Sequence, residues 1–257
     1  MRTALIAAVV VGFAIAHAEE LKWPSDEARA LGEQATELHK QAQREKDDKK
    51  YQEAHALYQK YLAKYHDLAD GDVSYFDAEL LFHLQRYEEA AKMYERVITV
   101  APTGKHASEA AYADVVSTKN AAHQPNEAGG KPPCPDMKPC QIPPDIQRLA
   151  AAFDRYVAVV PGNKERPTME YRRARIYYEY QHLAEPAPMF AHIFAVYPDH
   201  ELATYSANLE LDCLAILKRY DQLRALVERI KKSPAMKDAT TQQQVREIDA
   251  GLKKRGK

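Results

Sequence analysis

"RYEEAAKMYERVITVAP", residues 86–102, decides the fold, because an earlier stretch repeats its design. Residues 50–66 read "KYQEAHALYQKYLAKYH". Both run Tyr, two residues, Ala, three residues, Tyr, so Tyr51, Ala54 and Tyr58 match Tyr87, Ala90 and Tyr94 at an offset of 36. Prolines keep the same beat. Pro161 to Pro198 is 37 residues and Pro198 to Pro234 is 36, while Pro102 to Pro161 is 59, one period plus about 22 residues. A fixed period of this size marks a repeat array.

A second helical stretch precedes each of these segments. "SYFDAELLFHL" (74–84) places Phe76, Leu80, Leu81 and Leu84 at helical spacing, and "RRARIYYEY" (172–180) does so with Ala174, Ile176, Tyr177 and Tyr180. The unit is therefore a helix, a short turn and a second helix. Each pair leaves an apolar face that only the neighbouring pair covers. The small Ala lets helices approach closely, and Pro stops the second helix.

The pattern resembles the tetratricopeptide repeat. Residues 71–102 carry Ala78, Tyr87, Ala90, Tyr94 and Pro102; residues 167–198 carry Ala174, Tyr177, Phe190 and Pro198. Pro186 stands where the family has Ala, which predicts a displaced start for that second helix. The resemblance covers residues 30–234, weaker at 36–66 and degenerate at 145–161 and 203–234. It implies an all-α, right-handed solenoid of about five antiparallel helix pairs. Residues 237–255, "KDATTQQQVREIDAGLKKR", read as a polar closing helix of the kind repeat arrays need at their ends.

The opening "MRTALIAAVVVGFAIAHAEE" has Arg2, an apolar run over residues 4–16 and an Ala-His-Ala site, the pattern of a secretory signal peptide cleaved after Ala18. The run is too short for a comfortable membrane span. The expected mature protein is exported, periplasmic and without a transmembrane segment, organised as a helical repeat domain over 19–250 and a basic tail over 251–257. Without Arg2, 35 basic residues face 37 acidic ones. That balance gives no reason to expect a nucleic-acid partner. The tail, with Lys253, Lys254, Arg255 and Lys257, is a candidate for weak contact with the envelope surface.

The extra residues fall at 122–144, where seven of the 15 prolines collect. This insert cannot be helical and joins the two helices of the third unit. It contains "CPDMKPC", Cys134 to Cys140. Five intervening residues do not suit a thioredoxin-like pair. Structural zinc needs four ligands, and only His123 and Asp136 stand near. Export favours a disulfide, with metal binding or unpaired thiols as the alternatives. Such a bridge makes the insert a stapled loop projecting from the scaffold, a second candidate contact surface. Cys213 lies in an apolar helical run and reads as a buried free thiol.

No phosphate loop, nucleophile elbow or H-E-x-x-H is present. Nothing assembles a nucleophile, base and electrostatic partner, so neither catalytic residues nor a metal or cofactor are expected. Tetratricopeptide proteins commonly hold peptides or extended protein segments in the groove of their first helices. Positions matching that groove are Tyr75, Glu79, Phe82 and His83 in one unit, and Tyr171, Arg175 and Tyr178 in another. The resemblance thus implies a non-catalytic scaffold that binds protein or peptide partners in a cell-envelope complex. The alternative is a soluble periplasmic peptide-binding chaperone or carrier.

Overall fold

The computed structural model describes residues 23–65, 70–122, 133, 134 and 138–255. The expected signal segment, His123 and Asp136 lie outside them. The helices form five pairs, α1 (Asp26–Glu45) with α2 (Asp48–Lys64), α3 (Asp70–His83) with α4 (Tyr87–Val100), α5 (Ala107–Ala121) with α6 (Pro144–Val159), α7 (Arg166–Glu179) with α8 (Pro186–Val196), and α9 (Glu201–Ile216) with α10 (Tyr220–Lys231). A 3-10 turn, Pro234–Lys237, leads into α11 (Ala239–Arg255). Among the described residues there is no strand. Each second helix also packs on the first helix of the next pair. This is the all-α array of helix pairs that the 36-residue period predicts. Residues 251–255, expected as a tail, continue α11, whose end is held down by the buried side chain of Leu252.

The local chemistry sets the boundaries. α4, α6 and α8 each end two residues before a proline, Pro102, Pro161 and Pro198. The turns inside the units reverse through a residue with positive φ that is never glycine: Lys46 (54°), Gln85 (58°), Gln181 (61°) and Lys218 (57°). After Gln85 the Arg86 amide reaches back to the Leu81 carbonyl at 2.9 Å, and after Lys218 the Arg219 amide reaches Leu214 at 2.9 Å. These bonds satisfy the last carbonyls of the first helix, in the six-to-one pattern that usually takes glycine. α8 begins at Pro186, so its turn spans 180–185 whereas the turns at 84–86 and 217–219 have three residues. The displaced start is the one Pro186 predicts.

The repeated alanines and tyrosines are core. Ala54, Ala78, Ala90 and Ala174 are fully buried, as are Tyr58 and Tyr94. α7 is a wall shared by two cores. Met169 and Ile176 belong with the helices before it, and Ala174 with those after it. In the first unit, a Cβ on Gly32 would meet the Trp23 ring at 2.2 Å. Only glycine admits that contact.

Cys134 and Cys140 form a disulfide, with Cα atoms 5.6 Å apart. The second half of the insert does not project. The Cys140 amide donates to the Tyr180 carbonyl at 3.2 Å, and His182 Nε2 donates to the Cys140 carbonyl at 2.8 Å. Cys134 and Ile142 are buried. The reason is antiparallel packing: the start of α6 lies beside the end of α7, so the chain entering α6 runs over the α7–α8 turn and meets its free backbone groups.

Two expectations follow. Gln85→Gly and Lys218→Gly relieve a left-handed side-chain conformation and should each stabilise the fold by about 0.5–1 kcal/mol in urea unfolding. Alkylation of the unfolded chain should modify one thiol before reduction and three after it, read by mass. In the folded chain Cys213 should resist alkylation, since burial pushes its thiol up to about 12 and the side chain is inaccessible.

Candidate functional site: the face of the first helices

The first helices carry one register through the array. Tyr75 on α3, Tyr112 on α5, Tyr171 on α7 and Asn208 on α9 follow one another at 37, 59 and 37 residues, with the insert accounting for the long step. Tyr112 was not among the residues the resemblance singled out; the spacing alone identifies it. What each tyrosine does depends on the helix that follows.

Tyr75 is 4% exposed and cannot serve as a surface contact. Its ring stacks on His106, with centroids 4.0 Å apart and planes 6° apart, and its hydroxyl donates to Glu109 at 3.1 Å. Burial and the nearby Glu79 and Glu109 carboxylates push this phenol well above its ordinary range. Glu79 lies just below, accepting from the Tyr94 hydroxyl, and burial raises its carboxyl. Phe82 packs edge-on against Tyr87 at 5.3 Å. His83 is exposed but turned back to α2, over Tyr51 at 4.1 Å and within 3.8 Å of Asp48. The structure therefore does not bring these four residues together as an open site.

The later unit is different. Tyr171, Arg175 and Tyr178 are half-buried, with their outer edges in solvent. Tyr171 and Tyr178 flank Phe190, at 5.9 and 6.1 Å. The Tyr178 hydroxyl donates to Asp212 of α9 at 3.3 Å, Gln244 of α11 donates to the same carboxylate at 2.6 Å, and Arg175 pairs with Glu179. Tyr205, one turn before Asn208 on α9, is 59% exposed. This tyrosine was missed by sequence reasoning, although it stands at the same spacing from Tyr171 as Glu109 does from Tyr75, 34 residues.

A second register is charged, and buried at three of its four positions. Asp77, Asp114, Arg173 and Glu210 recur at 37, 59 and 37 residues, each directly before a small or aliphatic residue of the first-helix core. Asp77 accepts from His55 and Gln59, both at 2.6 Å. Asp114 accepts from Arg155 at 2.7 Å and Thr118 at 3.2 Å. Arg173 pairs with Asp154, and Glu210 with Arg229 at 3.1 Å. These pairs join first helices to second helices. Between α4, α5 and α6 they floor a cleft of about 230 Å³, where Arg155 also holds Glu95. Among the described residues, no group of three or more His, Cys, Asp or Glu is placed to hold a metal. Among the same described residues, no helix is long and apolar enough to cross a membrane.

No family model matches the chain, and no curated protein matches it. Solved structures of TPR-like repeat proteins do. One is a putative kinesin light chain of "Podosopora anserina" with nearly identical TPR-like repeats, at 13% identity, covering 88% of this chain and 96% of that one, with a TM-score of 0.37. A MamA RS-1 double mutant is 12% identical, covers 88% and 97%, and scores 0.39. BtubC from P. vanneervenii is 13% identical, covers 88% and 87%, and scores 0.37. These neighbours are TPR-like, as the repeat pattern implies; the architecture of this chain rests on its own helix pairs.

The two ends of the array respond to pH with opposite sign. Burial pushes the Glu210 carboxyl from an ordinary value near 4.5 up to about 7, against the pull of Arg229. Between those values the folded chain holds a proton that the unfolded chain has released. Stability from this site is therefore full below about pH 4.5 and is lost, by up to about 3 kcal/mol, as pH rises through 7. Burial moves His39 the other way, from 6.5 to about 4, with His83 adding to it. The unfolded chain then takes up a proton that the folded chain refuses, and stability falls as pH drops below 6.5. Glu210→Gln should flatten the first slope and His39→Gln the second, in urea unfolding followed across pH 4–8; unaltered slopes would refute the assignment.

Proposed function

We propose that the chain is an exported, non-catalytic scaffold of a cell-envelope complex, and that it holds a protein segment on the first-helix face formed by α7 and α9. One observation carries this reading. Tyr171, Arg175 and Tyr178 stand at i, i+4 and i+7 on one half-buried face of α7, and Tyr205 is exposed on α9 at the register position of Glu109, whereas the matching face of α3 is filled by its own neighbours. Tyr and Arg are the side chains most enriched in the energetic centres of interfaces, because each offers a rigid apolar body and a polar tip. Exposed Tyr205 leaves a large ring in water that a partner would cover. The fixed hydroxyl of Tyr178, tied to Asp212, needs no ordering on binding, which favours affinity. The opening residues 1–18 support export to the periplasm; they do so by sequence pattern alone.

Mild crosslinking in envelope fractions, followed by mass spectrometry, tests the reading. A stoichiometric partner should be recovered with the native chain. Tyr178→Ala with Tyr205→Ala should lower its recovery at least roughly thirtyfold, as for two interface anchors, with the helical circular dichroism spectrum unchanged. Undiminished recovery from the folded double variant rejects the face. Binding of many unrelated peptides without a fixed stoichiometry would instead make the chain a carrier.

A further inference from the structure

Charge is unevenly distributed along the array. Residues 218–257 carry 12 of the 36 Lys and Arg residues but five of the 37 Asp and Glu residues. The last module, α10 to α11, thus has a surplus of seven positive charges, and the residues before it a surplus of eight negative ones. The near-neutral total conceals a polar molecule.

Little of that positive charge is used inside the fold. Arg229 holds Glu210 and covers the Phe194 ring at 4.8 Å. Lys231 and Lys253 share Asp249, each at 3.1 Å. Asp238 is engaged at the start of α11, accepting from the Thr241 amide at 2.8 Å and its hydroxyl at 2.9 Å. Lys218, Arg219, Arg224, Lys232, Lys237, Arg246 and Lys254 remain: all are exposed, and none of their side chains has an ion pair among the described residues. Like charges gathered without partners repel, so this concentration opposes folding rather than aiding it.

We infer that this basic end docks the protein on an anionic phospholipid surface through headgroup phosphates. The chemistry of the patch selects that occupant. Tyr220 is the single aromatic residue in 218–257, so there is no platform on which bases of a single strand could stack. The module also lacks the apolar anchor of a protein interface. Among the described residues, the large exposed apolar side chains, Val100, Val196, Tyr205 and Ile216, all precede it. What it offers is a set of separate point charges on long stems, which suits a fluid array of phosphates, where each Lys or Arg multiplies affinity about fivefold. Contact of this kind is electrostatic and weakened by salt, and among the described residues no helix is long and apolar enough to cross a membrane.

Co-sedimentation of the purified chain with vesicles tests this independently of the α7–α9 face. Vesicles with equal parts phosphatidylcholine and phosphatidylglycerol should retain the protein at low salt and release it at high salt; phosphatidylcholine alone should not retain it. The variant Arg224→Gln, Lys232→Gln, Arg246→Gln, Lys254→Gln should lose roughly a hundredfold or more in partition. Arg29→Gln, Lys60→Gln, Lys92→Gln, Lys164→Gln makes the same change in net charge and should keep its binding. Arg224→Gln alone should lose about fivefold, which covers failure of the fourfold variant to fold. Equal retention on neutral vesicles, equal losses from both fourfold variants, or retention on heparin or duplex DNA without retention on anionic vesicles overturns the inference.

Discussion

Tyr94, Tyr75 and His106 form a relay of rings through three helices. Tyr94 on α4 meets Tyr75 on α3 at 6.1 Å, and Tyr75 stacks on His106, the N-cap of α5, at 4.0 Å. No pair of helices can make this contact by itself. α3 and α4 leave Tyr75 uncovered until α5 arrives, so each unit is stable through its neighbour. Fully burying a ring of this size removes about 150–250 Å² of surface from water, and it is buried on the next unit's account rather than its own. The same logic explains the polar end helix. α11 follows α10 and covers its core with Val245 and Leu252 while its other face meets water.

The buried charges act within the same constraint but do different work. A carboxylate such as Asp77 or Asp114 loses its hydration on burial, and a hydrogen-bonded partner recovers no more than most of that loss. These pairs therefore add little net stability. They do make misaligned packing expensive. Slide α6 by one turn against α5 and Asp114 loses Arg155, leaving a bare charge in the core. Apolar ridges of Ala, Leu and Val are nearly interchangeable from one turn to the next, and a charge at one fixed register is not. The tyrosine relay thus supplies burial, and the charged register selects the alignment in which burial occurs.

Much of the fold was legible in the sequence because it depends on spacing. Tyr51, Ala54 and Tyr58 recur as Tyr87, Ala90 and Tyr94, and a repeat that stacks on itself must use the same positions for the same contacts. Pro102, Pro161 and Pro198 end helices wherever they stand, since the missing amide needs no context. The insert was only half legible. Its prolines exclude helix, but its docking on the Tyr180 carbonyl follows from the antiparallel neighbourhood of α6 and α7, which no local pattern encodes. The candidate site was the least legible part. Register places Tyr75 and Tyr171 on the same face, and register does not say what the next helix puts opposite them. The charged register was present in the sequence at 37, 59 and 37 residues but was masked by its change of sign at Arg173.

The contrast between Tyr75 and Tyr171 comes down to one position. Thirty-four residues after Tyr75 stands Glu109, whose carboxylate accepts the phenol hydrogen. The corresponding residue after Tyr171 is Tyr205. A phenol is bulkier than a carboxylate and far less eager as an acceptor, so it does not close over its partner as Glu109 does. It turns outward and stays 59% exposed. Tyr205 thus leaves an aromatic ring on the surface of α9, while α7 and α8 stay packed on α9 and Tyr178 still reaches Asp212. In a protein whose units are held by their neighbours, a position that ceases to serve the neighbour is one that a partner can take over. Face and junction are therefore alternatives at each unit, and at the fourth the junction leaves the Tyr205 ring uncovered.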